Sequence, residues 1–305
     1  MKTLRFHYEL RITFDEPVTQ HSFTVRCSPP SDERQQVLHQ DIHILPKEFL
    51  CENRDSFGNS YFFGRAKNPH DLFEVVSDGV IQTGLSETVR AEESYRLGMF
   101  LQQTPYTQPG EELKKFFESV CQNGRMGHKG CCDKEITRRV QGQNALEMSL
   151  FLMEALQNSF SYRQGCTTFG TTAEEAWKLG CGVCQDYAHI LISLCRMSGI
   201  PARYVAGMLI GEGLSHAWVE VAQDGRWYGL DPTNGVRVLD EHIKISHGRD
   251  YNDCLLNQGV FTGTARQTQS VSVRVEEEER QKEQMGETGR NSLQRQQMEW
   301  AENSM

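Results

Sequence analysis

The chain has 305 residues, 38% of them hydrophobic and 24% charged, with a formal net charge of −9. That is more than one domain needs and enough apolar material for sizeable cores. Excess acid argues against a general nucleic-acid binder, ten cysteines in so long a chain are no disulfide scaffold, and no stretch approaches the roughly 18 consecutive apolar residues of a membrane helix.

No apolar h-region follows the charged start Met1-Lys2-Thr3-Leu4-Arg5. The expectation is a soluble, cytoplasmic protein whose cysteines are mostly free thiols, buried as small hydrophobes. Residues 1–95 read as strands. Leu4 to Thr13 and His21 to Cys27 alternate apolar and polar, and Ile42 to Leu45 is a short run closed by Pro46. Asp55-Ser56-Phe57-Gly58-Asn59 carries turn chemistry, Tyr61-Phe62-Phe63 returns, and Leu72–Val76 and Gly79–Thr83 supply two more runs. Short strands at this spacing predict a β-sandwich.

Pro105 to Gly110 reads as a linker, after which the periodicity becomes helical. Glu111 to Cys121 puts Leu113, Phe116, Phe117 and Val120 on one face; Gly124 to Asp133 is a loop by composition. Asn144 to Ser159 is a strongly apolar helix whose Leu146, Leu150, Met153 and Leu156 fit a core stripe. A third helix opens with the capping box Thr172-Ala173-Glu174-Glu175 and ends near Gly180. Asp186 to Met197 is helical. Arg203–Ile210, Ala217–Ala222 and Arg226–Leu230 are strands, with Asp224-Gly225 as a hairpin turn between the last two. Val271 to Val275 alternates as a final strand. Residues 276–305, with four consecutive glutamates at the start and almost no branched apolar residues, read as a charged, disordered or solvated tail. The domains expected are therefore a β-sandwich over 1–95, an α+β catalytic domain over 105–275, and the tail over 276–305.

The chemistry concentrates in residues 180–234. Gly180-Cys181-Gly182-Val183-Cys184-Gln185-Asp186 runs a glycine-rich turn into a helix, so Cys184 falls at that helix's N-terminus. Unpaired N–H groups and the positive dipole end favour its thiolate, which is the nucleophilic form. The same N–H groups can donate to an oxyanion. His216, at the start of a strand, is the candidate base, and Asp231, at the end of the next, the candidate orienting acid. His216 stands nine residues before Gly225 and Asp231 six after it, an offset that a bulge would absorb. His189 lies about 140° round the helix from Cys184 and serves as a structural hydrogen-bonding residue. His242 and His247 sit in a loop-like stretch without an adjoining acid. Trp218 and Trp227 read as core residues ahead of tunnel-lining ones.

Gly182-Val183-Cys184-Gln185-Asp186-Tyr187-Ala188-His189 resembles the nucleophile motif of bacterial transglutaminase-like proteins. Gly199 to Gly207 is similar to the segment that follows it there. Ser215-His216-Ala217-Trp218-Val219-Glu220 and Asp231-Pro232-Thr233-Asn234 resemble the histidine and aspartate motifs. The likeness also touches Phe160-Ser161-Tyr162, Thr167 to Thr172 and Gly248-Arg249-Asp250-Tyr251, so that it spans about 145–263, and the first ninety or so residues resemble the β-sandwich that precedes this domain. It implies a papain-like core, a Cys184–His216–Asp231 triad, and a thioester on a protein, peptide or small amide substrate, resolved by water or by an amine. The superfamily also holds inactive members, so a binding module of the same fold is the alternative. Cys254-Leu255-Leu256-Asn257-Gln258-Gly259 departs from a segment usually rich in valine and proline, and this bears on substrate preference. No cofactor or metal is called for. No acidic loop has EF-hand spacing, and the Cys181-x-x-Cys184 pair lacks a second pair for zinc and a preceding strand for thioredoxin-like redox chemistry.

Overall fold

The computed structural model describes residues 1–123 and 145–278. The expected loop at 124–133 and the tail beyond Glu278 lie outside the described residues.

Eight strands connect through the first, β1 (Lys2–Val25). Its alternation buries Leu4, Phe6, Tyr8, Leu10, Ile12 and Phe14 on one side. Leu4–Phe14 pairs antiparallel with β5 (His70–Thr83) on one edge and with β16 (Gln267–Glu277) on the other. The ladder shifts register between Thr13 and Val18, and Gln20 has φ 52°. Beyond that break, His21–Val25 pairs with β4 (Ser60–Ala66) and β15 (Asn257–Thr262). One strand thus serves both layers of a sandwich, with β2 (Gln35–Leu45) outside β5, β3 (Phe49–Arg54) outside β4 and the short β10 (Gly211–Gly213) outside β16. The runs at Leu4–Thr13 and His21–Cys27 are its two halves. Leu72–Val76 and Gly79–Thr83 are likewise one strand: Ser77 interrupts the apolar run, but its buried hydroxyl donates to the Cys27 carbonyl at 2.9 Å.

A second sheet of six strands runs β13 (Val236–Arg237), β12 (Arg226–Asp231), β11 (His216–Gln223), β9 (Ala202–Leu209), β14 (His242–Gly248), with β6 (Thr88–Arg90) beside β12. After the single turn α1 (Ser94–Leu97), the 105–110 segment docks on this domain: Thr107 Oγ1 accepts from Arg196 and Tyr106 packs on the His189 ring. α2 (Glu111–Asn123), α3 (Ala145–Ser159), α4 (Ala173–Leu179) and α5 (Cys184–Met197) follow. The capping box of α4 forms in both directions between Thr172 and Glu175. In α3 the buried face is Ala145, Met148, Ser149, Leu152, Met153 and Leu156, so Leu146 and Leu150 fall at its margin. A helix apolar nearly all round does not select its core face by period alone. α3 and α5 pack on one face of the sheet, and α2 and α4 pack in turn on the helices.

The other face carries a buried ionic group. Arg203 binds Glu220 at 2.7 Å and Glu92 at 2.8 Å, Lys244 binds Glu220 at 2.8 Å, and Trp227 donates to Glu92 while Arg203 lies 4.1 Å over its ring. Trp227 is therefore a core residue. From the sandwich side, the Gln35 amide clasps the Lys244 backbone through both its N–H and its oxygen, and Met208, Ile243 and Ile245 enter the sandwich core. β15 and β16 also leave the second domain and complete the sandwich.

Candidate active site

Cys184 begins α5. Val183, the N-cap, is extended (φ −113°, ψ −175°) and follows the short strand β8 (Cys181–Gly182), which pairs in parallel with β7 (Ser161–Tyr162). Asp186 shapes the turn: one carboxylate oxygen accepts from Val183 N–H at 2.8 Å and from Thr167 Oγ1 at 2.6 Å. Gly182 is needed for this approach, because a Cβ there would meet that carboxylate at 2.4 Å. Asp186 and Tyr187 donate their N–H groups to Val183 O. The N–H groups of Cys184 and Gln185 have no carbonyl of the same helix to reach, which leaves donors beside the sulfur. Cys184 is a half-buried free thiol. Cys181 is an exception to the mostly free thiols expected: it is bonded to Cys166, while six described cysteines are free, and it does lie in a strand.

His216 and Asp231 come from the two strands of the expected hairpin. Asp224 and Gly225 have φ 50° and 72°, the signature of a type I′ turn. The ladder runs unbroken from Gln223–Arg226 to Val219–Leu230, and no bulge absorbs the offset. Continuing that register sets Asp231 opposite Trp218, so His216 is its diagonal neighbour on the same face. The diagonal closes with His216 Nε2 2.8 Å from Asp231 Oδ2. The other ring nitrogen is left free of Asp231, and Cys184 is among the groups that act on the ring. Burial works against a charged imidazole here, but Asp231 and Cys184 together outweigh it and raise the His216 pKa well above the ordinary histidine value. Burial equally opposes the Asp231 charge, and hydrogen bonds from His216 and His242 hold its carboxyl well below the usual range.

His242 lies in a strand and beside an acid, unlike the loop-like stretch without an adjoining acid expected from the sequence. It heads β14, is 6% exposed, and places Nε2 3.1 Å from the same Asp231 Oδ2. The signal was present in the alternation His242-Ile243-Lys244-Ile245-Ser246. β14 reaches β11 through β9, and Gly207 of β9 faces both His216 and Lys244. A Cβ on Gly207 would meet the Trp218 ring at 2.5 Å; the bare backbone lets Trp218 cross it and meet His242 edge-on at 5.2 Å. Trp218 is fully buried. His189 takes the structural role expected of it, its Nε2 accepting from Tyr251 N–H at 3.1 Å. His247 sits by the ionic group, 3.9 Å from Glu92.

Among the described residues, His216, Asp231 and His242 form a set of three potential metal donors within 4.8 Å of one another. A cation there would take the His216 nitrogen that bonds Asp231, so this arrangement excludes the hydrogen-bonded one.

An α+β domain that sets the N-terminus of a central helix against an antiparallel sheet belongs to the papain-like class of folds. Within it, the chain belongs to the transglutaminase-like superfamily: residues 134–232 match the superfamily core, and residues 4–82 match the bacterial transglutaminase-like N-terminal region. All three of Cys184, His216 and Asp231 fall inside the core match. The chain is 27% identical over 273 residues to an uncharacterized protein of Mycobacterium leprae, covering 86% of this chain and 94% of the relative. It is 28% identical over 275 residues to one of Mycobacterium tuberculosis, covering 81% and 84%. A crystal structure from Cytophaga hutchinsonii, described as a "Putative Cysteine Protease", aligns over 90% of both chains with a TM-score of 0.66 at 20% identity, a likeness of fold.

Proposed function

We propose that the chain is a cysteine acyl-transfer enzyme acting on an amide of a protein, a peptide or a small molecule. The observation that carries this reading is His216, hydrogen-bonded to Asp231 at 2.8 Å and under the electrostatic influence of Cys184 at the start of α5. The His216 imidazolium stabilises the Cys184 thiolate, and Asp231 fixes the ring with the proton on Nε2, since an ionised carboxylate only accepts. Sγ attacks the amide carbon, and the Cys184 and Gln185 N–H groups receive the developing oxyanion. His216 gives the proton facing Cys184 to the departing amine, leaving a thioester. Water or a second amine, deprotonated by His216, then attacks the thioester and releases Cys184.

A binding module of the same fold has no use for a buried ionised Asp231 held against His216, an arrangement costly to desolvate. The Cys166–Cys181 disulfide belongs to oxidising surroundings, and it weighs toward an oxidising compartment over the cytoplasm. The test is a screen of glutamine-containing and peptide substrates, with and without an added primary amine. Product formed without amine marks hydrolysis, and amine incorporation marks transfer. No turnover of any substrate, together with no acyl adduct on Cys184, contradicts the enzyme reading.

A further inference from the structure

Asp231 Oδ2 is crowded. It takes His216 Nε2 at 2.8 Å, His242 Nε2 at 3.1 Å and Asn234 Nδ2 at 2.7 Å, while the backbone N–H groups of Thr233 and Asn234 occupy Oδ1. An oxygen with about two lone-pair directions cannot serve three donors fully. His216 and His242 therefore divide one acceptor. His242 cannot turn its other nitrogen to this task, because its Trp218 contact and its burial fix the ring. Its Nδ1 and the Trp218 Nε1 both lack a protein partner, and both residues line a small cavity with Arg34, Lys244, Asp32 and Glu220. Because the carboxylate only accepts, the His242 proton sits on Nε2.

We propose that His242 is a positioning residue of the acyl-transfer site, which holds Asp231 Oδ2 toward His216 and tempers its pull on the His216 proton. The inference rests on the triad reading. The contacts of His242 are with Asp231, His216 and Trp218, so it acts through Asp231. The charged and titratable groups that face it are Asp231 and His216 on one side, and Lys244, Arg34, Asp32 and Glu220 around the cavity. Loss of the His242 donor gives the whole of Oδ2 to His216 and Asn234. The imidazolium is then harder to deprotonate.

The experiment follows the rate of Cys184 alkylation by iodoacetamide against pH in the full chain. The upper inflection, set by loss of the imidazolium proton, is expected to rise by about 0.5 to 1 pH unit in His242→Phe. It is expected to return toward the wild-type position in His242→Gln, whose amide nitrogen can donate to the same oxygen. A folded His242→Phe variant with an unmoved or lowered inflection overturns the proposal, because a merely structural role would change stability and leave the inflection in place. His216→Ala separates the two readings. If it leaves the wild-type profile intact, the triad and the positioning role both fail; if it removes the upper inflection while His242→Phe does not move it, only the positioning role fails. Should His242→Phe not fold, nitrogen-15 spectra of the histidine rings in the wild-type chain decide. A neutral His242 with the proton on Nε2 supports the proposal, and a proton on Nδ1 overturns it.

Discussion

Asp231 accepts hydrogen bonds from two imidazoles, the Asn234 amide and two backbone N–H groups, and it is fully buried. Asp231→Asn keeps the shape but replaces an acceptor oxygen by a donor amide, so at least one of those donors is left facing another. A buried charge-assisted hydrogen bond contributes about 1.5–3 kcal/mol. The variant should unfold a few degrees below wild type in a thermal melt and alkylate Cys184 more slowly, with a smaller loss of turnover than His216→Ala. An unchanged melt and an unchanged alkylation rate would contradict the role given to Asp231. The three candidate residues were legible in the sequence because each has a local signature: a glycine-rich turn into a helix, a strand start, and a strand end across an Asp-Gly turn. His242 was not, because its partner is fixed by the β9–β14 register and by the bare backbone at Gly207, neither of which a local pattern reveals.

At the level of elements, the six-stranded sheet is tied on its back face by Glu220, which joins Arg203 to Lys244. Removing one member of a buried ion pair leaves the others uncompensated and costs about 3–5 kcal/mol. Glu220→Gln should therefore show a markedly lower midpoint in urea unfolding; a midpoint within error of wild type would mean that the group is solvated. The Cys166–Cys181 bond closes a loop of 15 residues, worth about 3 kcal/mol by loop-closure entropy. Reduction should lower the melting temperature without moving the alkylation site from Cys184 to Cys181, and equal melts with and without reductant would contradict this. The turn and the cap were readable because Asp224-Gly225 and Thr172-x-x-Glu175 act within four residues. The disulfide was not, since cysteine spacing does not show which thiols the fold brings together.

At the scale of the whole molecule, four histidines among the described residues are biased toward the neutral form. Burial, with Arg196 nearby, lowers His189 to about 3; burial, with His70 nearby, lowers His21 to about 4. Burial also lowers His242, and it lowers His247 beside Arg203 and Lys244. An unfolded histidine titrates near 6.5, so between that value and the folded one the unfolded chain binds more protons and stability falls as pH falls. His216 is raised, and its contribution is fully present below 6.5 and lost only on the alkaline side. Asp231 and Glu220 are depressed and lose theirs only below about 4. The melting temperature should therefore drop steadily from pH 7 to 4.5 in a calorimetric series. His189→Gln, which keeps an acceptor for Tyr251 N–H, should flatten the slope by about one proton, and a flat wild-type series would contradict the assignment. The change from period two to helical period near residue 105 was visible, but not the pairing of Thr88–Arg90 with the second sheet. The return of β15 and β16 to the sandwich was not visible either, because pairing between Arg5 and Glu276 joins chain segments that no local pattern relates.

The most direct measurement is trapping at neutral pH with an amide-directed electrophile, followed by peptide mass mapping of wild type and His216→Ala. One adduct is expected, on Cys184, formed rapidly in wild type and at least about a hundredfold more slowly in the variant. Labelling elsewhere, or equal rates in the two proteins, would contradict the triad.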